Sequence, residues 1–129
     1  MSALAAPGDL LLARAIAARI RSHVVLSFIG ETELHAAVAK ALQASPFTFS
    51  AEFVLSPEDR IDFLVADCVG VECKTGGSPA EALAQLNRYA QHERIRSLVL
   101  VSSRLRHGSL PPSLNGKPLV FLPLLRGLA

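Results

Sequence analysis

Residues Arg60 to Lys74, RIDFLVADCVGVECK, pattern as two short strands joined by a tight reversal near Asp67, yet they carry Asp62, Glu72 and Lys74 inside the apolar run. An unpaired charge buried in a sheet is expensive. The stretch therefore restricts the chain to folds in which a hairpin brings those charges together. Side chains alternate faces along a strand. Ile61, Phe63 and Val65 are expected on one face and Asp62 and Leu64 on the other, while Val71 and Cys73 oppose Glu72 and Lys74. A reversal centred on Asp67 sets position 62 across from position 72. Two carboxylates and an ammonium then converge. Either the face is wet and Lys74 pairs with Asp62 or Glu72, a contact of about 0 to 1 kcal/mol, or a divalent cation sits between the carboxylates with Lys74 directed at a water or a phosphate.

The flanking segments supply the rest of an α/β architecture. Asp9 can cap a first helix running to about Arg21, with Leu12, Ile16 and Ile20 at four-residue spacing. VVLSFIG reads as a strand or a connector broken by Gly30. A second helix follows from Glu31 to about Gln43, in which Leu34, Val38, Ala41 and Leu42 point one way. At about 100° per residue Glu31 lies within about 40° of that direction and Glu33 points to solvent. Glu31 suits a partner of the helix dipole or an inward-facing acid near the cluster.

FTFSAEFVL reads as a strand and SPED as a turn. Ser78, Pro79 and Glu81 open a helix as N-cap, first position and capping-box acid. On it Gln85, Arg88 and Tyr89 span about one turn. A glutamine and an arginine near a cation suit a phosphate or a water, and Tyr89 equally suits the core. SLVLVSS is a strand buried on both faces. HGSLPPSLNGKP reads as a loop before a last strand, LVFLPLL, interrupted by Pro123. The expected fold is a mixed β-sheet flanked by helices: hairpin-linked strands, then a helical crossover.

At 129 residues one domain is expected, and half the residues are hydrophobic with mean hydropathy +0.37. No charge-free apolar run approaches the roughly 20 residues of a membrane span, so a soluble protein is expected. The start lacks a basic leader ahead of an apolar run and suits an amphipathic helix or, being Arg-bearing and acid-poor, an organellar transit segment. Cys68 and Cys73 form neither a CxxC pair nor a metal quartet, which suits a cytoplasmic setting. No GxSxG elbow is present, and His23, His35, His92 and His107 form no triad-like pattern, each reading as a surface residue. Residues 1–84 carry a net charge of −4 and residues 85–129 a net of +6. A basic half beside a carboxylate-bearing half suits a polyanion held next to a cation, or simply a solvated basic face.

GETEL, RIDFLV, GVECKTGGS and QLNRY, in that order, resemble the PD-(D/E)XK nuclease superfamily with its restriction-endonuclease-like fold. The likeness is to small stand-alone members of the Holliday junction resolvase type. It covers residues 30 to about 103, with residues 1–29 as an N-terminal helical extension and 104–129 as a C-terminal tail and strand. Ile61 stands where the family name places proline, while every charged member of the motif is present.

The resemblance implies an α-β-β-β-α-β core and a metal-dependent DNA endonuclease, structure-selective rather than sequence-specific, in repair, recombination, restriction or phage genome processing. It implies Mg²⁺, with Mn²⁺ able to substitute, on Asp62, Glu72, the Cys73 carbonyl and Glu31. Lys74 would orient or deprotonate the attacking water, and Gln85 would position Lys74 or the scissile phosphate. Arg60, Arg88, Tyr89, Arg94, Arg96, Arg104 and Arg106 would contact DNA, and cutting both strands would use a homodimer, with the first helix and the apolar tail PLVFLPLL either supplying its interface or simply completing the core. The competing expectation is a catalytically silent nucleic-acid-binding or scaffold protein that keeps the fold.

Overall fold

Pro7 occupies the first position of helix α1 (Pro7–His23), where its missing N–H costs nothing. The structure is a computed structural model that describes residues 6–23 and 30–124. The VVLSFIG segment up to residue 29 and the tail beyond residue 124 lie outside the described residues. Asp9, expected as the cap of α1, sits three positions in. Its Oδ2 accepts the Ala6 N–H at 2.8 Å and meets Arg96 Nη2 at 2.9 Å. Helix α2 spans Glu31–Gln43, with Glu33 reaching back to accept the Gly30 N–H. Helix α3 (Pro79–Ala90) starts as its sequence predicts, Ser78 Oγ accepting the Glu81 N–H at 3.1 Å.

Among the described residues the strands are β1 (Phe49–Val54), β2 (Arg60–Val65), β3 (Val69–Lys74), β4 (Ser97–Ser102), β5 (Ser113–Leu114) and β6 (Lys117–Pro123). They form a mixed sheet in the order β1-β2-β3-β4-β6-β5. The first three pair antiparallel, β3 with β4 and β4 with β6 pair parallel, and β5 returns antiparallel on β6. The fold is α/β. Residues 107–118, expected as a loop, contain β5, the turn of the β5–β6 hairpin and the first residues of β6. Asn115 and Gly116 turn it at φ 51° and 75°, the left-handed pair that a two-residue hairpin with the strands' own twist requires.

Helices α1 and α2 cover one face of the sheet and α3 the other. Ile16, Ile20, Leu34, Val38 and Leu42 pack against Val65, Val71, Cys73, Val99 and Val101. Leu86, Tyr89 and Ala90 pack against Leu64, Leu98 and Leu100. The apolar stripe of α1 and residues Leu122 and Leu124 of the tail join the first core. Parts of both surfaces offered as dimer interfaces are thus spent on the chain's own core, while Leu11 stays exposed and Val120 and Phe121 half-buried. No helix among the described residues is long and apolar enough to cross a membrane. Of the histidines expected at the surface only His23 is exposed, and His107 is fully buried.

One expectation about the strands fails in an informative way. Phe63 and Val65 face α1 and α2, but Ile61 lies with Leu64 on the α3 side. Strand β1 flips at the matching place: Phe49 packs on the first core and Phe53 on the second. Register is kept across the flip, Ala51 opposite Phe63 and Phe53 opposite Ile61. The pleat thus breaks in both strands at once, at Glu52 and Asp62. Glu52 adopts a left-handed backbone, φ 52°, rare for a residue with a Cβ. Gly70 makes the break feasible on the α3 side, since a Cβ there would collide with the Ile61 side chain and lie 2.9 Å from Leu98.

Candidate metal centre

The β2–β3 ladder pairs Val65 with Val69, Leu64 with Gly70 and Phe63 with Val71, then stops. Beyond it two carboxylates take over from the backbone. The Asp62 N–H donates to Glu72 Oε1 at 3.0 Å, and the Cys73 N–H donates to Asp62 Oδ2 at 2.8 Å. Position 62 therefore meets position 72 as the reversal at Asp67 predicts. Lys74 Nζ stands 3.8 Å from Glu72 Oε2. The Tyr89 hydroxyl lies 3.0 Å from the Arg60 carbonyl and 3.3 Å from Glu72 Oε2, so its single proton serves one or the other.

Glu72 is 3% exposed. Burial first, and the neighbouring Asp62 charge second, push its carboxyl up to about 8, although the Asp62 N–H and Lys74 pull the other way. Burial likewise raises Asp62 against the Cys73 N–H, and burial with the nearby Glu72 raises the Tyr89 hydroxyl. Carboxylates this close, with one lysine beside them, resist ionising together. A divalent cation would supply the missing charge, and an all-oxygen donor set of this kind suits a hard ion.

The remaining predicted site residues separate into three groups. Glu31 opens α2 exposed to solvent and its Oε1 accepts the Thr75 N–H at 3.4 Å, beside Lys74. Gln85, Arg88 and Lys74 line a cavity of about 260 Å³ with the Gly76–Ser78 loop, Glu81 and Ala82. Cys73 contributes its amide to Asp62, and its side chain is buried in the core. Arg104 Nε donates to the Thr75 carbonyl at 2.8 Å, and Arg106 donates twice to the Gly77 carbonyl. Buried His107 lies 2.6 Å from Ser102 Oγ and 3.1 Å from the same Gly77 oxygen. These three residues hold the loop that leads from Lys74 into α3.

The expected DNA-contact set does not form one surface. Tyr89 is 2% exposed and turned into the core, which removes it from that set. Arg94 donates to the Asp67 carbonyl and Arg96 pairs with Asp9, both at the β2–β3 turn. Ser97 pairs with Val69 at that end and Ser102 with Lys74 at the other, five residues or about 17 Å away. Arg60 and Arg88 stay at the site end, where they pair with Glu52 and Asp59 at 3.1 Å.

Two residues that the sequence reading left out join Asp62. His35 Nε2 lies 3.1 Å from Glu52 Oε1 and 4.0 Å from Asp62 Oδ1. One ligand atom from each of the three falls within 4.8 Å of the others, so the cluster could hold a metal ion. Both residues had a sequence signal. His35 follows Glu31 by four, on the same helix face, and a hairpin about the Ser56–Asp59 turn sets 52 across from 62. No protein-family model matches this chain, and no curated protein or solved structure matches it either.

Proposed function

We propose that the chain is a divalent-metal-dependent nuclease that hydrolyses DNA phosphodiester bonds, selecting its substrate by structure rather than by sequence. The observation that carries the reading is the buried Asp62–Glu72 pair, held between two strands with Lys74 beside Glu72, and Lys74 in turn lines the cavity of Gln85 and Arg88. Mg²⁺, or Mn²⁺ in its place, would polarise the phosphate and acidify a bound water. Asp62 and Glu72 would hold the ion, with Glu31 and the Cys73 carbonyl at its margin. Lys74 orients the attacking water and offsets charge developing on the phosphoryl oxygens. Gln85 and Arg88 seat the scissile phosphate in the cavity. Rigid strands suit this role, because a misplaced group costs catalysis steeply.

The test incubates the protein with supercoiled plasmid, linear duplex, single strands and a four-way junction, with Mg²⁺, Mn²⁺ or EDTA. Metal-dependent cutting is expected, abolished in Asp62→Ala and lowered about 10²- to 10⁴-fold in Lys74→Met. Intact DNA in every lane, with binding retained, would instead identify a silent binding protein. Elution of a dimer that dissociates into inactive chains would support two-strand cutting by a pair of sites.

A further inference from the structure

We propose that His35, Glu52 and Asp62 form a second cation site, joined to the Asp62–Glu72 pair through Asp62, that takes a borderline divalent transition ion of the Zn²⁺ class in preference to Mg²⁺. Each of the three donors has one side anchored and the other presented. Arg60 Nε binds Glu52 Oε2 at 3.1 Å, which leaves Oε1 toward His35. The Cys73 N–H binds Asp62 Oδ2, which leaves Oδ1 toward the same ring nitrogen. The imidazole stacks on Phe63 at 4.4 Å between centroids, fixing its plane. Preorganisation of this kind is what a metal site needs from its surroundings.

Two further observations point to a ligand rather than to an ion pair alone. His35 Nε2 is shut off from solvent yet has no hydrogen-bond partner among the described residues, although Glu52 Oε1 is near enough. The oxygen lies off the direction in which the ring could bond it. The pleat of β1 and β2 also breaks at the two acids of the cluster, with Glu52 in a left-handed backbone that turns it toward α2. The donor set fixes the ion class: an imidazole nitrogen with two carboxylates favours borderline transition ions, whereas Mg²⁺ keeps oxygen ligands and water. The inference goes beyond the nuclease reading and does not require that the chain cut DNA.

The test titrates the full-length chain with Zn²⁺ and separately with Mg²⁺, following the ring nitrogens of His35 by ¹⁵N NMR and the heat of binding by calorimetry. Zn²⁺ is expected to shift the His35 Nε2 signal in the unmodified chain and in Glu72→Gln, and Mg²⁺ to leave it in place. Glu52→Gly is expected to weaken this Zn²⁺ event at least about tenfold. Glycine accepts the left-handed backbone at that position, so this variant keeps the fold. A Zn²⁺ affinity unchanged in Glu52→Gly, or a His35 Nε2 signal that Zn²⁺ does not move, would overturn the second site. Failure of the nuclease reading shows elsewhere, as Mg²⁺ binding that survives Glu72→Gln or DNA that stays uncut.

Discussion

Glu72 carries an energetic conflict that the fold keeps. Its carboxyl is pushed up to about 8, by burial first and by Asp62 second. In the unfolded chain it ionises near 4.5. Between those values the folded state holds a proton that the unfolded state has lost. Metal-free stability is therefore greatest below the unfolded value and falls as pH rises toward 8. Thermal melts in EDTA from about pH 5 to about pH 8 should show the decline, and Glu72→Gln should flatten it. Saturating Mg²⁺ should restore the midpoint at the alkaline end, since an ion bound only to the folded state stabilises it. A midpoint indifferent to pH and metal would remove the argument for a cation at this pair. Asp62, Glu72 and Lys74 were legible in the sequence because each is a charge in an apolar strand. His35 carried only its four-residue step from Glu31, and a histidine on an amphipathic helix is unremarkable until the opposite strand is in place.

At the scale of elements, the site exists because two strands break their pleat together. Gly70 is the residue that allows it, with Ile61 filling the space a Cβ would occupy. Gly70→Ala should cost about 1 to 3 kcal/mol by overpacking, read as a lowered urea midpoint at unchanged slope. The lost stability should be accompanied by weaker metal binding, since Ile61 adjoins Asp62. A neutral Gly70→Ala would mean that the sheet relaxes without moving Ile61. Ser78→Ala should cost a further, separate increment of about 1 kcal/mol by removing the α3 cap. Helices α2 and α3 and the strands β2, β3 and β4 were readable, because caps and periodicity act locally. The flip of Ile61 was not, because it needs Gly70 of the next strand and Glu52 of the previous one. The β5–β6 hairpin was hidden for another reason: its Asn115-Gly116 turn sits in a proline-rich stretch where β5 is only Ser113–Leu114.

Over the whole molecule, the basic second half of the sequence divides between two ends of the sheet. Arg94 and Arg96 are committed at the β2–β3 turn, Arg96 as an ion pair that ties α1 to β4. Arg104 and Arg106 gather at the site end, folded onto the loop after Lys74. Charge counted along the chain could not assign these groups: the strand between them sets them apart, but the parallel β3–β4 register is what places Arg104 and Arg106, not Arg94 and Arg96, beside Lys74. The division makes a graded prediction about DNA. A guanidinium carries five N–H donors, and among the described residues Arg104 spends only Nε, on Thr75, so donors remain for a phosphate. If the cavity beside Lys74 seats the backbone, Arg104→Gln and Arg106→Gln should each reduce the salt dependence of DNA affinity by about one unit of slope. Arg94→Gln should leave that slope unchanged. Fluorescence anisotropy with a labelled duplex across a salt series measures all three, with circular dichroism confirming that each variant is folded. Equal losses at both ends would mean that the duplex lies along the whole sheet, and the proposed approach of DNA to Lys74 would have to be abandoned.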